Sequence, residues 1–516
     1  MHSRILLGVG LLGLCGCGIF GSDASEPAPV AATPDRPVVT EDGGLPEGAP
    51  PPAVGTPAIN ELTNEFGVFV SATAAASGDG TIDHPFATIS AGIERVKDLK
   101  LRVYVCAGTY KESLTLVNAV SVIGALSCDG GVWKTGGARV VLQAPTSPAI
   151  RAKDIALATR LEGFDVTAPA GTAMSPNSIA LIAENATTLT VANTRLTSAK
   201  AFDGSDGIDG TPLSLGATAN GHNGVASGGP YSLAPPAFTI PYQTGAAGGL
   251  GACGGAPGHD GANGGSGGNG ATQKCQGNIN GACVWVVVSG YNRTDAVVQP
   301  SGPGAAGNDG ASASMLGAFS AADGYAPAGG TAGSDGVPGK AGTGGNGGPE
   351  WSTAGNAAAD NGRYRIGASG PGGGAGGCPG LAGTPGAGGG ASIAALAFAS
   401  PGLTLTAVDL TAGDGGRGGK GTFGSLPQPG ATPGTAPTGT TAATGGSSGG
   451  RAGFAGNGTG GPSAALAFTG GAVVVAPDTH TTAGTAGAGV PARVNATTNV
   501  TIPASASGPA MPLLQF

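Results

Sequence analysis

Ser178 to Ala199 reads SIALIAENATTLTVANTRLTSA. The pattern returns without a gap at Ser392 to Gly413, SIAALAFASPGLTLTAVDLTAG. A third copy, read as lacking one residue near its start, begins at Ser463: SAALAFTGGAVVVAPDTHTTAG. Each copy holds short apolar runs separated by small polar turns. Along Leu189–Val191 and Leu403–Leu405 the apolar residues alternate with Thr, the period-two signature of a strand with one buried face. Thr and Val dominate, as a pleated, half-buried surface prefers. Strand–turn units repeated at this length predict a stack of similar coils in an all-β chain, not one closed globule. Glycine-rich sequence follows the first two copies, so the chain reads as rungs with glycine-rich material spliced in at one point of successive rungs.

Composition agrees with a stack of narrow coils. Of 516 residues 103 are Gly, about threefold above the usual share of roughly 7%. Charged residues make up only 10% and aromatics 4%, which suits neither a charged disordered tail nor a conventional globule of this size. The formal net charge is −8 and no basic run occurs. A nucleic-acid partner is therefore excluded, because nothing is present to neutralise phosphates.

The chain opens with MHSRILLGVGLLGLCGCGIF. Arg4 precedes an apolar core from Ile5 to Leu14 that is too short to span a bilayer. Leu14-Cys15-Gly16-Cys17 resembles the lipobox of bacterial lipoproteins, with Leu14 at the −3 position of Cys17. That resemblance implies cleavage after residue 16 and lipidation of Cys17, whose acyl chains would hold the protein on a membrane. Gly18 rather than Asp follows, which by the same resemblance implies the cell outer membrane, either surface-exposed or facing the periplasm. The alternative is an ordinary secretory signal. Residues 17–59 are rich in Pro and Ala and cannot bury a core. They read as an extended tether of up to roughly 100 Å.

From Phe66 the character changes. A strand at Gly67–Ser71 leads to a Gly78-Asp79-Gly80 turn and a short amphipathic helix from about Ser90 to Asp98, with Ile89, Ile93 and Val96 on one face. Two strands follow, around Gly108. The run Gly78-Asp79-Gly80-Thr81, Pro85-Phe86-Ala87-Thr88-Ile89 and Ile93, then Val103-Tyr104-Val105, Gly108-Thr109-Tyr110 and Glu112, resembles the N-terminal cap and first coil of the pectin-lyase-like superfamily. The resemblance covers about fifty residues. It implies a right-handed, single-stranded parallel β-helix, with the helix covering the open end of the stack. Asp79 and His84 read as turn residues. Cys106 and Cys128 lie about one coil apart, and an exported chain meets oxidising conditions. A disulfide there would contribute about 3 kcal/mol; two buried thiols are the other reading.

A glycine-rich tract spans 204–390. Gly recurs at every third position through Gly255, Gly258, Gly261, Gly264, Gly267 and Gly270, and again from Gly330 to Gly348. The period matches an extended threefold helix whose crowded side admits only Gly. Sparse Pro and a broken register argue against a collagen trimer. The tract reads either as packed glycine threefold helices within one chain or as a disordered, hydrated insertion. Inside it, Val284–Ser289 reads as a strand. Cys253, Cys275, Cys283 and Cys378 allow two disulfides in three pairings, and without a C-x-x-C spacing they offer no zinc site. Asp203, Asp206 and Asp209, three apart, are candidate calcium ligands. The same Asp-Gly pairs are also turn chemistry. No other cofactor is expected.

These readings divide the chain into 1–16 signal peptide, 17–59 linker, 60–203 cap and coils, and 204–390 first insertion. A rung at 391–413, a second glycine-rich insertion at 414–461 and C-terminal rungs at 462–516 complete it, with a last strand at Thr498–Ile502. Both insertions should leave one corner of the stack, and excision of about 204–390 should leave the coils folded.

Many β-helix proteins of the superfamily cleave acidic polysaccharides, chemistry that needs clustered carboxylates. The adjacent Asp pair and Gly-His-Gly of the hydrolase branch are absent. Arg151-Ala152-Lys153 matches an Arg-x-Lys by spacing alone. Glu162, Asp165 and Arg195, with Arg160 and Glu184 nearby, are the candidate catalytic side chains; a solvated face is the plainer reading. The sequence therefore points to a surface-anchored, non-catalytic structural or binding lipoprotein, its partners the membrane and a polysaccharide or other surface component. A polysaccharide lyase or glycoside hydrolase is the alternative.

Overall fold

The computed structural model describes residues 57–232, 242–254, 256–268, 272–279, 282–288, 293–349 and 363–516. The signal peptide, Cys17 and nearly all of the linker lie outside them.

The described chain is all-β, with one α-helix at Ile89–Val96. Three parallel sheets carry it. The first orders Gly67–Val70, Arg102–Cys106, Val122–Ser127, Thr159–Glu162, Leu189–Ala192, Thr404–Thr406 and Val474–Val475, with Lys134–Thr135 paired antiparallel at the side. The second orders Thr109–Tyr110, Val140–Gln143, Phe164–Thr167, Arg195–Thr197, Asp409–Thr411 and His480–Thr482. The third orders Leu114–Leu116, Ile150–Lys153, Ser178–Glu184, Ser392–Phe398, Ser463–Thr469 and Ala510–Gln515. From Arg102 onward the chain visits first, second and third sheet in turn and begins again, an arrangement compatible with a parallel β-helix.

Register explains the core. Val103, Val122, Leu161, Val191 and Leu405 pair in one column of the first sheet, and none is more than 1% exposed. Leu142, Val166, Leu196 and Leu410 do the same in the second. Each such side chain contributes about 1.5–3 kcal/mol by burial, and the columns run through successive coils, so the coils share one continuous apolar core. The helix closes the N-terminal end. Thr88 caps it through Ala91 N–H, and the Glu112 carboxylate accepts Ile89 N–H at 2.8 Å and Ser90 N–H at 3.0 Å. Ile89, Ile93 and Val96 are buried.

For the first two copies the repeat alignment is the sheet register; the third copy lacks no residue at its start, because Ile393 pairs with Ala464 and Ala395 with Leu466. Ser178 pairs with Ser392 and Ser392 with Ser463, and Ile179 pairs with Ile393. The first two excursions leave after Thr197 and Thr411, at the end of second-sheet strands, and re-enter at Ser392 and Ser463 in the third sheet. Buried serines hold these throats. Ser178 Oγ accepts Ala199 N–H at 2.8 Å, Ser392 Oγ donates to Ala199 O at 2.8 Å, and Ser463 Oγ accepts Gly484 N–H at 2.9 Å. A third excursion, 483–509, leaves the same corner after Thr482 and returns at Ala510. The last strand expected at Thr498–Ile502 is not a rung. Thr501–Ile502 pairs antiparallel with Arg493–Val494 in a hairpin inside this excursion.

The described glycine-rich residues are ordered as extended legs. Gly304, Gly307, Gly310 and Ala313 donate N–H groups to Ser448, Arg451, Phe454 and Asn457. In the opposite sense, Gly336, Gly339, Gly342 and Gly345 donate to Gly380, Gly377, Gly374 and Pro371. One inter-leg bond every third residue is the period of a threefold extended helix, which has no internal hydrogen bonds and must spend its donors on neighbours. Glycine is required because the legs touch. A Cβ at Gly376 would overlap the carbonyl of Gly339, and one at Gly221 that of Gly372. At about 3.1 Å per residue the leg from 200 to 225, shortened by the 3₁₀ turn at Ala217–Ala219, reaches roughly 70 Å. Cys253 and Cys378 are joined by a disulfide within this bundle. This is one of the bonds left open for the four cysteines of the tract. Cys275 and Cys283 lie on the strands of a hairpin, Thr272–Ile279 with Ala282–Val288, that contains most of the expected Val-rich strand.

The first insertion also packs against the coils. Ala318–Ser320 and Gly324–Ala326 form a hairpin within it that covers the outer face of the third sheet. Tyr325, 1% exposed, packs with Ile179, Ile182, Ile393 and Leu396, and Phe319 stacks on Phe516 with centroids 4.1 Å apart. Excision of 204–390 would uncover this apolar face.

Candidate functional site

The side chains singled out in the sequence fall in three places. Glu162 ends a strand of the first sheet, is 8% exposed, and accepts a hydrogen bond from Arg160 Nε at 2.6 Å. Asp165 lies past the Gly163 corner, in the second sheet, where Arg195 NH1 donates to its carboxylate at 3.0 Å. Arg195 also lies 3.8 Å from Asp409, as does Arg139. In register, Asp165, Arg195, Asp409 and His480 form one column across four strands. Beside it runs a second column of Gln143, Thr167, Thr197, Thr411 and Thr482. Successive members stand about 4.8 Å apart, the strand spacing. The structure thus joins Asp165 to Arg195 and leaves Glu162 to Arg160, each carboxylate matched by its own guanidinium. Glu184 pairs with Lys153 at 3.1 Å.

Arg151 has a different use. Its guanidinium donates to the carbonyls of Ala321 and Ala322, at 3.0 and 2.6 Å, and so latches the turn of the covering hairpin. A cavity of about 260 Å³ opens beside this latch, lined by Ser147, Ser175, Asn177, Asp323 and Tyr325 among others. Spacing alone could not find it, because the hairpin arrives from some 170 positions downstream.

Asp79-Gly80 sits in a turn, its carboxylate accepting Thr81 N–H, whereas the Asp-Gly pairs of the glycine-rich legs reach across to neighbouring legs. Asp203 accepts Arg417 N–H at 2.9 Å while Gly204 N–H donates to Arg417 O at 2.8 Å. Asp206 and Gly207 hold Lys420 in the same way, at 2.9 and 2.7 Å. Asp309 with Gly310 holds Phe454, and Asp414 with Gly415 holds Thr485. Each pair clamps both backbone groups of one residue on a parallel neighbour. Against an antiparallel neighbour the two bonds fall two residues apart: Asp260 accepts Gly251 N–H and Gly261 donates to Gly249 O. The Lys420 N–H bond holds the Asp206 carboxyl below the ordinary carboxylate range. The Arg451 guanidinium does so for Asp309, and the Thr485 hydroxyl for Asp414. Arg417 lies against both Asp203 and Asp206, while Asp209 is exposed. Among the described residues no three His, Cys, Asp or Glu side chains gather as a metal set, and no helix is long and apolar enough to cross a membrane.

Cys106 is joined to Cys128 in the N-terminal coils. No family model, curated protein or solved structure matches the chain.

Proposed function

We propose that this chain is an exported, lipid-anchored surface protein whose role is structural or binding rather than catalytic. Its coils form a right-handed parallel β-helix of the pectin-lyase-like kind, and the glycine-rich legs form a stiff arm on one corner of it. Cys17 carries the anchor, residues 17–59 are the tether, and the outer membrane is the site of display. The observation that carries this reading is the Asp165–Arg195–Asp409 column. Its carboxylates are held by guanidinium groups along an ordered face, whereas hydrolysis or β-elimination needs a carboxylate or base left to exchange a proton with substrate. The cyclic order of the three sheets supports the β-helix.

The experiment incubates the exported chain with pectate, alginate and bacterial exopolysaccharide and follows new reducing ends and unsaturated products. No turnover is expected. Turnover abolished by Asp165→Ala or Glu162→Ala would replace this reading with the enzymatic one. For the anchor, Cys17→Ser should leave the precursor unprocessed or release it from the detergent phase; unchanged partitioning would refute lipidation.

A further inference from the structure

The clamps described for Asp-Gly pairs also hold five Asn-Gly pairs. Asn220 Oδ1 accepts Thr432 N–H at 3.1 Å while Gly221 N–H donates to Thr432 O at 3.0 Å. Asn223 and Gly224 hold Thr435 likewise, at 2.8 and 3.1 Å. Three more pairs face antiparallel legs. Asn263 and Gly264 bond to Gly248 N–H and Ala246 O, and Asn346 and Gly347 to Ala296 N–H and Thr294 O. Asn457 and Gly458 bond to Gly421 N–H and Gly419 O.

Asn followed by Gly is the dipeptide most open to spontaneous deamidation, since no side chain hinders the following nitrogen. The Gly amide nitrogen attacks Asn Cγ, a five-membered succinimide closes, and ammonia leaves with the proton that nitrogen carried. Water then opens the ring at either carbonyl, giving aspartate or isoaspartate. Nothing is oxidised or reduced. The attack requires the Gly N–H to be free and the Asn side chain to swing over it. In all five pairs the Gly N–H is spent on a neighbouring carbonyl, and the Asn oxygen is tied to a different backbone N–H. The bond to Oδ1 polarises Cγ, but the nitrogen that would attack is turned to another leg and cannot approach without breaking its bond.

We infer that the glycine bundle holds Asn220, Asn223, Asn263, Asn346 and Asn457 against deamidation, so that the chemical lifetime of the arm is set by its fold. The same geometry protects the Asp-Gly pairs from isomerisation, which proceeds through the same ring with loss of water. The sequence then carries residues that age quickly in an unfolded chain, and the bundle makes them durable. This inference stands on the bundle's hydrogen bonds and does not depend on what the protein binds.

The test uses the full chain with its disulfides intact. It is aged at mildly alkaline pH, native and in denaturant, beside the peptide GATANGHNG (residues 216–224) in both solutions. Peptide mass mapping then follows conversion at each Asn. The denatured chain should convert at the peptide's rate. The native chain should convert at least about tenfold more slowly at all five positions, which a local opening equilibrium of one in ten already gives. Native conversion at the peptide's rate at these positions would overturn the inference.

Discussion

Asn177 and Ala391 lie 214 positions apart, yet Asn177 Oδ1 accepts Ala391 N–H at 2.9 Å. The same amide donates to Tyr325 O at 2.6 Å. One buried side chain therefore ties a coil to the next coil and to the hairpin that covers them both.

Asn177→Ala leaves a buried N–H and a buried carbonyl without partners, at a cost of about 1–3 kcal/mol. The loss should be local. Hydrogen exchange at Gly324–Ala326 and at Ala391 is expected to accelerate, while exchange at Val103 and Val122 stays at the native rate. Equal acceleration in both regions would mean that Asn177 is not a tie between hairpin and coils.

Glycine substitutions separate contact from composition. Gly376→Ala places a methyl on the Gly339 carbonyl, inside the bundle. Overpacking of this kind costs about 1–3 kcal/mol or more. At Gly216, whose φ is −67°, the nearest atom to an added Cβ is Thr218 Oγ1 at 3.9 Å, and Gly216→Ala should lose nothing. Thermal unfolding of the two variants measures the difference.

Acid should loosen the bundle. Asp206, Asp309 and Asp414 have pKa values lowered in the folded state from an ordinary 3.8. A group depressed on folding adds stability above its unfolded pKa and loses it as pH falls through the folded one. Stability should thus be flat with respect to these groups above about pH 5 and decline as pH drops through 4 and below. Asp309→Asn together with Asp206→Asn should flatten that decline, as read from midpoints of denaturant unfolding at a series of pH values.

What was legible in the sequence was whatever repeats. Ser178, Ser392 and Ser463 begin three copies, so their stacking could be read before any coordinate, and so could the corner from which the first two excursions leave. The helix at Ile89–Val96 was legible from three apolar residues on one face. The clamps were not, because the partner of Asp203 is Arg417, 214 positions on, and no spacing connects them. Asp-Gly suggested a turn because its chemistry is local in most chains; in the legs the Asp oxygen instead reaches across and accepts a backbone N–H of the neighbouring leg. The covering hairpin left one unused signal. Ser178–Glu184 is buried on both faces almost throughout, and its unbroken apolar run, unlike the alternation at Leu189–Val191, is how a strand covered on both sides reads. Glu162 and Asp165 lie on coil strands with Arg160 and Arg195, the cations named beside them in the sequence, and the register shows that Asp165 meets Arg195. Arg195 answers Asp165 from the next coil.

The separated copies stack as neighbours, despite the long tracts between them in sequence. Thr197 and Thr411 are register partners on adjacent second-sheet strands. Their Cα atoms should stand about 4.8 Å apart, within the roughly 4.4–6.8 Å that a disulfide spans. The direct measurement is oxidation of the Thr197→Cys, Thr411→Cys double variant, followed by mass mapping of the peptides. The two new cysteines should be joined in the folded chain. Both remaining open to alkylation while Cys106 and Cys128 stay joined would contradict it.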